Sequence, residues 1–242
     1  FNSEINGNFP NHLPDPQNKD AQEFLIDSMS DEDLGIIFDG DGDRAGFIIE
    51  GNYISEDKVL SLYSEEILSK EKGKVIHDLR ASKLVKEVIE NNDGTPVESR
   101  VGHTYISEMI HDDSEVVFAG ELSAHYYFPA LGFPWDDGIV SAAFLAEIIS
   151  KRGKEIFQKY PDYPVSPELR IDCPEERKQE VIEKVKEKFS EYKISEKDGV
   201  KIFFENGWSL VRPSSTEEKI SLRTEADTEK DLEKIMSRIE PK

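Results

Sequence analysis

The fold is decided by the stretch Leu34-Gly35-Ile36-Ile37-Phe38-Asp39-Gly40-Asp41-Gly42-Asp43-Arg44, where three carboxylates occupy alternate positions directly after an apolar run. The apolar run predicts a buried strand, and the glycines allow a tight turn after it. Like charges this close repel one another, so the arrangement makes sense where a cation lies among them. Oxygen ligands alone favour a hard ion, Mg²⁺ or Ca²⁺. We therefore predict a metal-binding loop of Asp39, Asp41 and Asp43, with a solvated acidic turn as the plainer alternative.

The composition of the 242-residue chain limits its class. Acidic residues outnumber basic ones by 51 to 30, and a net charge of −21 argues against a nucleic-acid-binding surface. The hydrophobic fraction of 37% suffices for real cores, while no apolar run approaches membrane-spanning length and no signal peptide is visible. Cys173 is the only cysteine, so no internal disulfide can form, which favours a cytoplasmic location. Because Phe1 stands where an initiator methionine would, we expect a piece of a longer protein.

The hydrophobic pattern predicts two kinds of domain. Up to about residue 160, strands and helices alternate, which is typical of mixed α/β domains. Strands are expected over 34–38, 46–50, 74–78 and 115–119 and near Val97, and helices around 21–29, 59–68, 84–89, 105–110 and 139–149, the first capped by Asp20. Proline-rich Tyr160–Pro164 marks a boundary. Beyond it, strands over 168–171, 200–204, 209–212 and 219–224 with helices around 181–189 and 232–239 predict a small α+β domain with an antiparallel sheet.

Further groups carry chemistry. Glu121, Ser123 and His125 alternate in Gly120–His125 after a predicted strand, and such side chains suit sugar hydroxyls, which both donate and accept. A structural histidine is the alternative there.

Arg212-Pro213-Ser214-Ser215-Thr216 offers one guanidinium and three hydroxyls for an anion, or forms an ordinary Ser/Pro turn. Gly102-His103 opens a helix, whose N-terminus attracts phosphate, and Asp136-Asp137 can be explained by helix capping.

Two other motif families compete for the acidic loop. An EF-hand requires glycine where Arg44 stands and helices on both flanks, so it is excluded. A haloacid-dehalogenase-like phosphatase would use Asp39 as nucleophile and Asp41 as acid/base, and it stays open, although Asp43 stands where threonine or valine is usual.

Taken in order, the motifs resemble the α-D-phosphohexomutase family, in its phosphomannomutase/phosphoglucomutase branch. Asp39–Arg44 matches the family's metal loop, Gly120–His125 is similar to its sugar loop Gly-Glu-Met-Ser-Gly-His, and Arg212–Glu217 is similar to its phosphate loop Arg-Pro-Ser-Gly-Thr-Glu. The family's pattern is also matched by Gly102-His103, by Arg80 and by the opening segment 6–16. In these loops Ala124 replaces a glycine, so a positive φ there would be strained, and Ser215 replaces the commoner glycine or asparagine.

The resemblance implies three domains: residues 1–56 as the end of the family's second domain, 57–165 as its third and 166–242 as its fourth. It implies reversible phosphate transfer between the 1- and 6-positions of mannose or glucose phosphate through a bisphosphate, with glucose 1,6-bisphosphate as activator. The family's phosphoserine loop has no counterpart, so we expect a C-terminal half that is inactive alone. The sheet of its second domain would then lack its first strands, and the exposed strand edge near residues 20–55 is expected to self-associate.

The resemblance also implies roles for individual residues. Mg²⁺ would lie on the three aspartates, Arg44 beside the transferred group, and His125 in acid/base work. The other residues expected to bind hexose phosphate are Arg80, His103, Glu121, Ser123, Arg212, Ser214, Ser215 and Thr216. Alternatives are a phosphoglucosamine mutase, the aspartyl phosphatase above, and a non-catalytic sugar-phosphate-binding fragment. Leu122 weakly favours a hexose mutase over a glucosamine mutase, where glutamine is usual.

Overall fold

The computed structural model describes residues 1–30, 34–214 and 217–239. The chain divides into two compact units, Phe1–Tyr160 and Pro161–Lys242. Among the described residues, no helix has both the length and the apolar character needed to cross a membrane.

The acidic loop, Asp39–Arg44, joins the first two strands of a small antiparallel sheet of the first unit, with strand order β1-β2-β3. Its strands are β1 (Gly35–Phe38), β2 (Ala45–Ile49) and β3 (Asn52–Ile54), preceded by helix α1 (Lys19–Ser28). Helix α1 packs Ala21 and Leu25 against Ile37 and Ile48 of this sheet. The expected cap was wrong: Asn18, not Asp20, accepts the amide of Ala21 at 3.0 Å. Both residue types cap well, and the chain begins its helix two residues earlier.

The larger sheet of the first unit combines a parallel core with an antiparallel hairpin. Its order is β5-β4-β6-β7-β8, where β5, β4 and β6 run parallel and β7 and β8 antiparallel. The strands are β4 (Lys74–Asp78), β5 (Thr95–Ser99), β6 (Val116–Gly120), β7 (Tyr126–Phe128) and β8 (Phe133–Asp136), and the helices are α2 (Glu56–Leu68), α3 (Lys83–Asn91), α4 (His103–Asp112) and α5 (Gly138–Arg152). Short 3₁₀ turns cover Pro129–Leu131 and Lys154–Lys159.

An aromatic core supports the β6–β7 side of that sheet. Tyr63 of α2 is fully buried, and its ring lies 5.3–5.8 Å from the rings of Phe118, Tyr126, Phe128 and Phe144. Its hydroxyl donates to the carbonyl of Ser141 at 2.7 Å, so burial leaves no unpaired phenol. The strands on both sides of the β6–β7 loop are therefore anchored in a closely packed aromatic core.

The second unit is a five-stranded antiparallel sheet with order β10-β11-β12-β13-β9. Its elements are β9 (Leu169–Asp172), α6 (Glu175–Lys188), β10 (Lys193–Ser195), β11 (Val200–Phe204), β12 (Gly207–Pro213), β13 (Lys219–Ala226) and α7 (Glu229–Ile239). Its core includes Ile182, Phe189 and Ile202. The predicted fold class, mixed α/β followed by α+β with an antiparallel sheet, is confirmed. The pattern missed β3, β7, β8 and β10, which have only three or four residues each.

Candidate functional site

The acidic loop closes around Asp39, which follows β1. Its Oδ1 accepts the amides of Gly42 at 3.0 Å and Arg44 at 3.2 Å, and its Oδ2 accepts Nε of Arg44 at 2.8 Å. Arg44 also lies 3.2 Å from Asp15. Burial alone would raise the pKa of Asp39, but these bonds from Arg44 outweigh it and hold the pKa below its usual value. The loop is therefore built around an ionised carboxylate.

The carboxylates of the loop fit a hard cation. One oxygen each of Asp39, Asp41 and Asp43 lies within 4.8 Å of the others. Oδ1 of Asp43 is buried and has no hydrogen-bond partner among the described residues. Burial and the neighbouring Asp39 raise the pKa of Asp43, and the imidazole of His125 offsets this rise only in part. A buried oxygen without a partner is costly, and an oxygen-bound ion such as Mg²⁺ would satisfy it.

The loop Gly120–His125 joins β6 to β7 and contains a continuous hydrogen-bonded chain. Ser123 Oγ donates to Glu121 Oε2 at 3.2 Å, and His125 Nδ1 lies 3.0 Å from that Oγ and 3.2 Å from Oε2. The other oxygen of Glu121 accepts the amide of Gly102 at 2.8 Å, which ties the loop to the start of α4. Glu121 is buried, whereas Ser123 and His125 are partly exposed. The three side chains predicted to face a sugar are thus close together.

Ala124 lies in this loop with φ of +71°, in the left-handed region. Its side chain is fully buried. The expectation that a residue replacing glycine here would be strained if φ were positive therefore applies to this chain.

Backbone contacts join the acidic loop to the loop Gly120–His125, the predicted sugar-binding loop. Arg44 and His125 form an isolated antiparallel bridge, and the amide of Ala45 donates to the carbonyl of Ala124 at 3.2 Å. The amide of Gly138, at the start of α5, donates to the carbonyl of Gly42 at 3.1 Å. A Cβ at position 138 would lie 2.7 Å from the carbonyl oxygens of Gly42 and Arg44, so only glycine permits this approach. The two loops form one wall.

Two imidazoles and Asp136 complete the wall. The rings of His103 and His125 stack at 5.6 Å with an interplanar angle of 17°. Asp136 Oδ2 lies 3.5 Å from His103 Nδ1 and 4.0 Å from His125 Nε2, and it accepts the hydroxyl of Tyr127 at 3.3 Å. Nε2 of His125 also lies 3.6 Å from Asp43 Oδ1. Asp43, His125 and Asp136 thus form a second group that could hold a metal.

The protonation of His125 is controlled by its surroundings. Burial lowers its pKa, but the carboxylates of Glu121, Asp43 and Asp136 more than compensate and raise the pKa above its ordinary value. An imidazole whose protonated form is stabilised by neighbouring carboxylates in this way can serve as an acid/base group.

Arg80 is held by Asp78 at the end of β4. Nη2 of Arg80 donates to Asp78 Oδ2 at 2.8 Å, and its Nε donates to Oδ1 at 3.2 Å. The same Oδ2 accepts the amide of Leu122 at 2.9 Å, so Arg80 is connected to the sugar-binding loop.

Two of the predicted phosphate ligands lie in the second unit. Nε of Arg212, near the end of β12, lies 3.2 Å from Asp198, and its side chain is mostly buried. Ser214 Oγ accepts the amide of Glu217 at 3.1 Å. Lys178, which no sequence motif indicated, donates to the carbonyls of Ser214 at 2.7 Å and Glu217 at 2.8 Å. Ser215 and Thr216 lie outside the described residues.

Most of the predicted residues of the first unit therefore meet in one place, and two carboxylates there were not predicted to take part. Asp137 caps α5 through the amide of Val140, as capping predicted, but Asp136 faces the histidines instead. Asp78 closes a predicted strand, and a carboxylate at the carboxyl end of a parallel strand is a signal that could have found it.

Comparisons with known proteins identify the family of this chain. Models of the phosphoglucomutase/phosphomannomutase family match in chain order: alpha/beta/alpha domain II at residues 1–52, alpha/beta/alpha domain III at 55–164 and the C-terminal domain at 168–242. The metal loop lies in the first of these matches, the sugar-binding loop in the second and the phosphate loop in the third.

Named relatives match nearly the whole chain. It is 36% identical to a phosphomannomutase of Methanocaldococcus jannaschii over 99% of this chain and 54% of the relative, and 37% identical to a phosphomannomutase/phosphoglucomutase of Pseudomonas aeruginosa over 96% and 52%. A crystal structure of a phosphoglucomutase/phosphomannomutase family protein from Burkholderia thailandensis superposes with a TM-score of 0.87 and 29% identity, covering 97% of this chain and 52% of that one. The chain spans about half the length of these relatives. It belongs to the phosphohexomutase family, with homologues in its phosphomannomutase/phosphoglucomutase branch.

Proposed function

We propose that the protein carrying this chain is a phosphohexomutase that interconverts the 1- and 6-phosphates of glucose or mannose through a bisphosphate. The observation that carries the proposal is the single wall formed by the acidic loop and the sugar-binding loop. Through the Arg44–His125 bridge, three carboxylates suited to a cation adjoin a carboxylate, a hydroxyl and an imidazole suited to a sugar. Phosphoryl transfer to a sugar hydroxyl needs these two functions side by side.

Each group in the wall has a proposed task. Asp39, Asp41 and Asp43 hold Mg²⁺, which when bound offsets the negative charge of the phosphoryl group in transfer. Arg44 points its guanidinium along the same loop and interacts with that phosphoryl group. Glu121 and Ser123 bind neighbouring hydroxyls of the sugar.

His125 moves a proton at Nε2. Its Nδ1 side is occupied by Ser123 and Glu121, so the ring is fixed in orientation and Nε2 faces the acidic loop. A hydroxyl that attacks the phosphoryl group loses its proton to this atom, and the departing oxygen regains it. The ring of His103, stacked on His125, adds a second donor for phosphate.

The phosphate that does not react is proposed to be bound by Arg212, Ser214, Ser215 and Thr216. A guanidinium binds phosphate oxygens in pairs, and hydroxyls with backbone amides complete the site. Arg80, beside the sugar-binding loop, is proposed to contact the same ligand.

The aspartyl phosphatase alternative receives less support. A Mg²⁺-dependent aspartyl phosphatase would need one oxygen of Asp39 for phosphorus and the other for the cation, but Oδ1 already accepts two amides and Oδ2, which accepts Nε of Arg44, has only one lone pair left. The strand before it pairs antiparallel with β2, as part of a three-stranded antiparallel sheet.

The test is an assay of the gene product that carries this chain, with glucose 1-phosphate or mannose 1-phosphate, Mg²⁺ and glucose 1,6-bisphosphate. We expect turnover of both sugars and a phosphoenzyme whose phosphate maps to serine. Activity on glucosamine phosphate alone would favour the glucosamine mutase, and phosphate on Asp39 would favour the phosphatase. Binding of hexose phosphate without turnover or phosphoenzyme would point to a non-catalytic protein.

A further inference from the structure

Asp78 occupies a position that no motif explains. It is the last residue of β4, the middle strand of the parallel part of the larger sheet, and its side chain is fully buried. Ligands of such sheets bind beyond the carboxyl ends of the strands, so Asp78 lies directly beneath the candidate site. A buried carboxylate is costly unless its oxygens are paired.

The oxygens of Asp78 are fully engaged, and they bind two different parts of the site. Oδ1 accepts the backbone amide of Arg80 at 2.7 Å and its Nε at 3.2 Å. Oδ2 accepts Nη2 of Arg80 at 2.8 Å and the backbone amide of Leu122 at 2.9 Å. Arg80 is therefore held as a two-pronged fork, and one oxygen of that fork also anchors the loop Gly120–His125.

This shared oxygen connects elements that are 42 residues apart in sequence. A rotation of the Asp78 carboxylate that released Arg80 would also release Leu122, because Oδ2 serves both. Burial opposes ionisation of Asp78, but the charge of Arg80, the bonds from it and the Leu122 amide lower the pKa below its usual value. The ionised carboxylate thus accepts all four bonds at neutral pH.

We propose that Asp78 is a positioning residue that holds Arg80 and the sugar-binding loop at a fixed spacing, so that one hexose phosphate meets Arg80 and the side chains of Glu121 and Ser123 together. The inference rests on the proposed function. It adds that the contributions of Arg80 and of the loop to ligand binding depend on each other through a residue that does not touch the ligand.

The first experiment is a double-mutant cycle on the 242-residue chain, read by NMR titration with glucose 1-phosphate. Asp78→Asn puts an amide N–H₂ against Arg80 or against the Leu122 amide, so affinity should fall about tenfold or more. Arg80→Ala should then weaken binding in the unaltered chain but add little to Asp78→Asn. The matched control is Glu225→Gln, a buried carboxylate of the second unit that accepts Trp208 Nε1, and in that background Arg80→Ala should keep its full effect.

The second experiment needs neither ligand nor the Asp78 variant. In Arg80→Ala the carboxylate loses its fork, so hydrogen exchange of the Leu122 amide should accelerate at least tenfold, while that of Ala119 in β6 stays unchanged. Additive losses in the cycle, or unchanged exchange at Leu122, would overturn the inference and leave the proposed function standing. If the unaltered chain binds no hexose phosphate, the half-length chain lacks affinity of its own, the proposed function is judged by the assay of the full gene product, and the exchange of Leu122 still decides whether Asp78 couples the two elements.

Discussion

Ala124 offers a direct measurement of backbone strain in the sugar-binding loop. It is fully buried with φ of +71°, a conformation in which an L-residue with a Cβ pays about 1–2 kcal/mol and glycine pays nothing. Ala124→Gly should release that strain. It also removes a buried methyl, worth about 0.8 kcal/mol, and adds freedom to the unfolded chain worth about 0.5–1 kcal/mol. The terms nearly cancel, so the free energy of unfolding should change by less than about 0.8 kcal/mol in either direction.

The matched control is Ala119→Gly. Ala119 is equally buried but lies in strand β6, and it is not among the residues with positive φ. Ala119→Gly should lose the buried methyl and add freedom to the unfolded chain, but it releases no backbone strain. The free energy of unfolding of the first unit should therefore fall by about 1.5 kcal/mol. The difference between the two variants measures the strain at Ala124.

The assay should follow each unit separately, because a chain of two units need not unfold in one step. Trp135 lies in the first unit and Trp208 in the second, and these are the only tryptophans of the chain. Labelling with 5-fluorotryptophan therefore gives one ¹⁹F resonance for each unit during urea unfolding. If Ala124→Gly destabilises the first unit as much as Ala119→Gly does, the strain argument is refuted.

Four further outcomes are expected. Titration of the chain with Mn²⁺ should reveal one site that Asp41→Asn abolishes, and a site that survives this change would mean that the metal binds elsewhere. In the full gene product, Arg212→Ala should mainly raise KM for hexose phosphate, whereas a loss confined to kcat would contradict a binding role. The folded-state pKa of Asp78 lies below its usual value, so ionised Asp78 stabilises the fold fully above the unfolded pKa of about 4, and this stabilisation is lost as the pH falls through the folded-state pKa. Asp78→Asn should therefore have a lower free energy of unfolding at pH 7, and its free energy of unfolding should depend less on pH below pH 4. Strand β1 lies at the edge of its sheet and carries Phe38, which is 40% exposed. Light scattering should therefore show concentration-dependent self-association that Phe38→Lys reduces. A chain that is monomeric at all concentrations would contradict self-association through this edge strand.

The accuracy of the sequence-based predictions depended on the length of each element. The strand 74–78 was predicted at its true bounds because Val75 and Ile76 form its apolar centre and a glycine precedes it; the structure buries four of its five residues. The hairpin β7–β8 was missed because Tyr126–Phe128 is buried on both faces and shows no alternation over its three residues. Short strands of this kind are defined by their neighbours in the sheet, which a local pattern does not contain.

The candidate site was predictable in its parts and less so in its assembly. The acidic loop and the sugar-binding loop were found because few structural uses explain carboxylates between glycines, or a carboxylate, hydroxyl and imidazole at alternate positions. The participation of Asp136 depends on the register of β7 against β8, which turns it towards His103 and His125 and leaves Asp137 to cap the helix. Tertiary pairing of this kind is not encoded in the spacing of the residues themselves.

The bridge between Arg44 and His125 has a consequence for dividing this protein into modules. The proposed boundary at residue 56 separates the two residues, so the wall formed by the acidic loop and the predicted sugar-binding loop is assembled from segments on both sides of it. A gene fragment that began at Glu56 would retain the sugar-binding loop but lose the backbone partner of Ala124, and the loop would have to keep its left-handed turn unaided. Recombination between homologues at that boundary would bring together halves selected in different contexts. The backbone contacts across this boundary would then limit which halves can be exchanged between homologues.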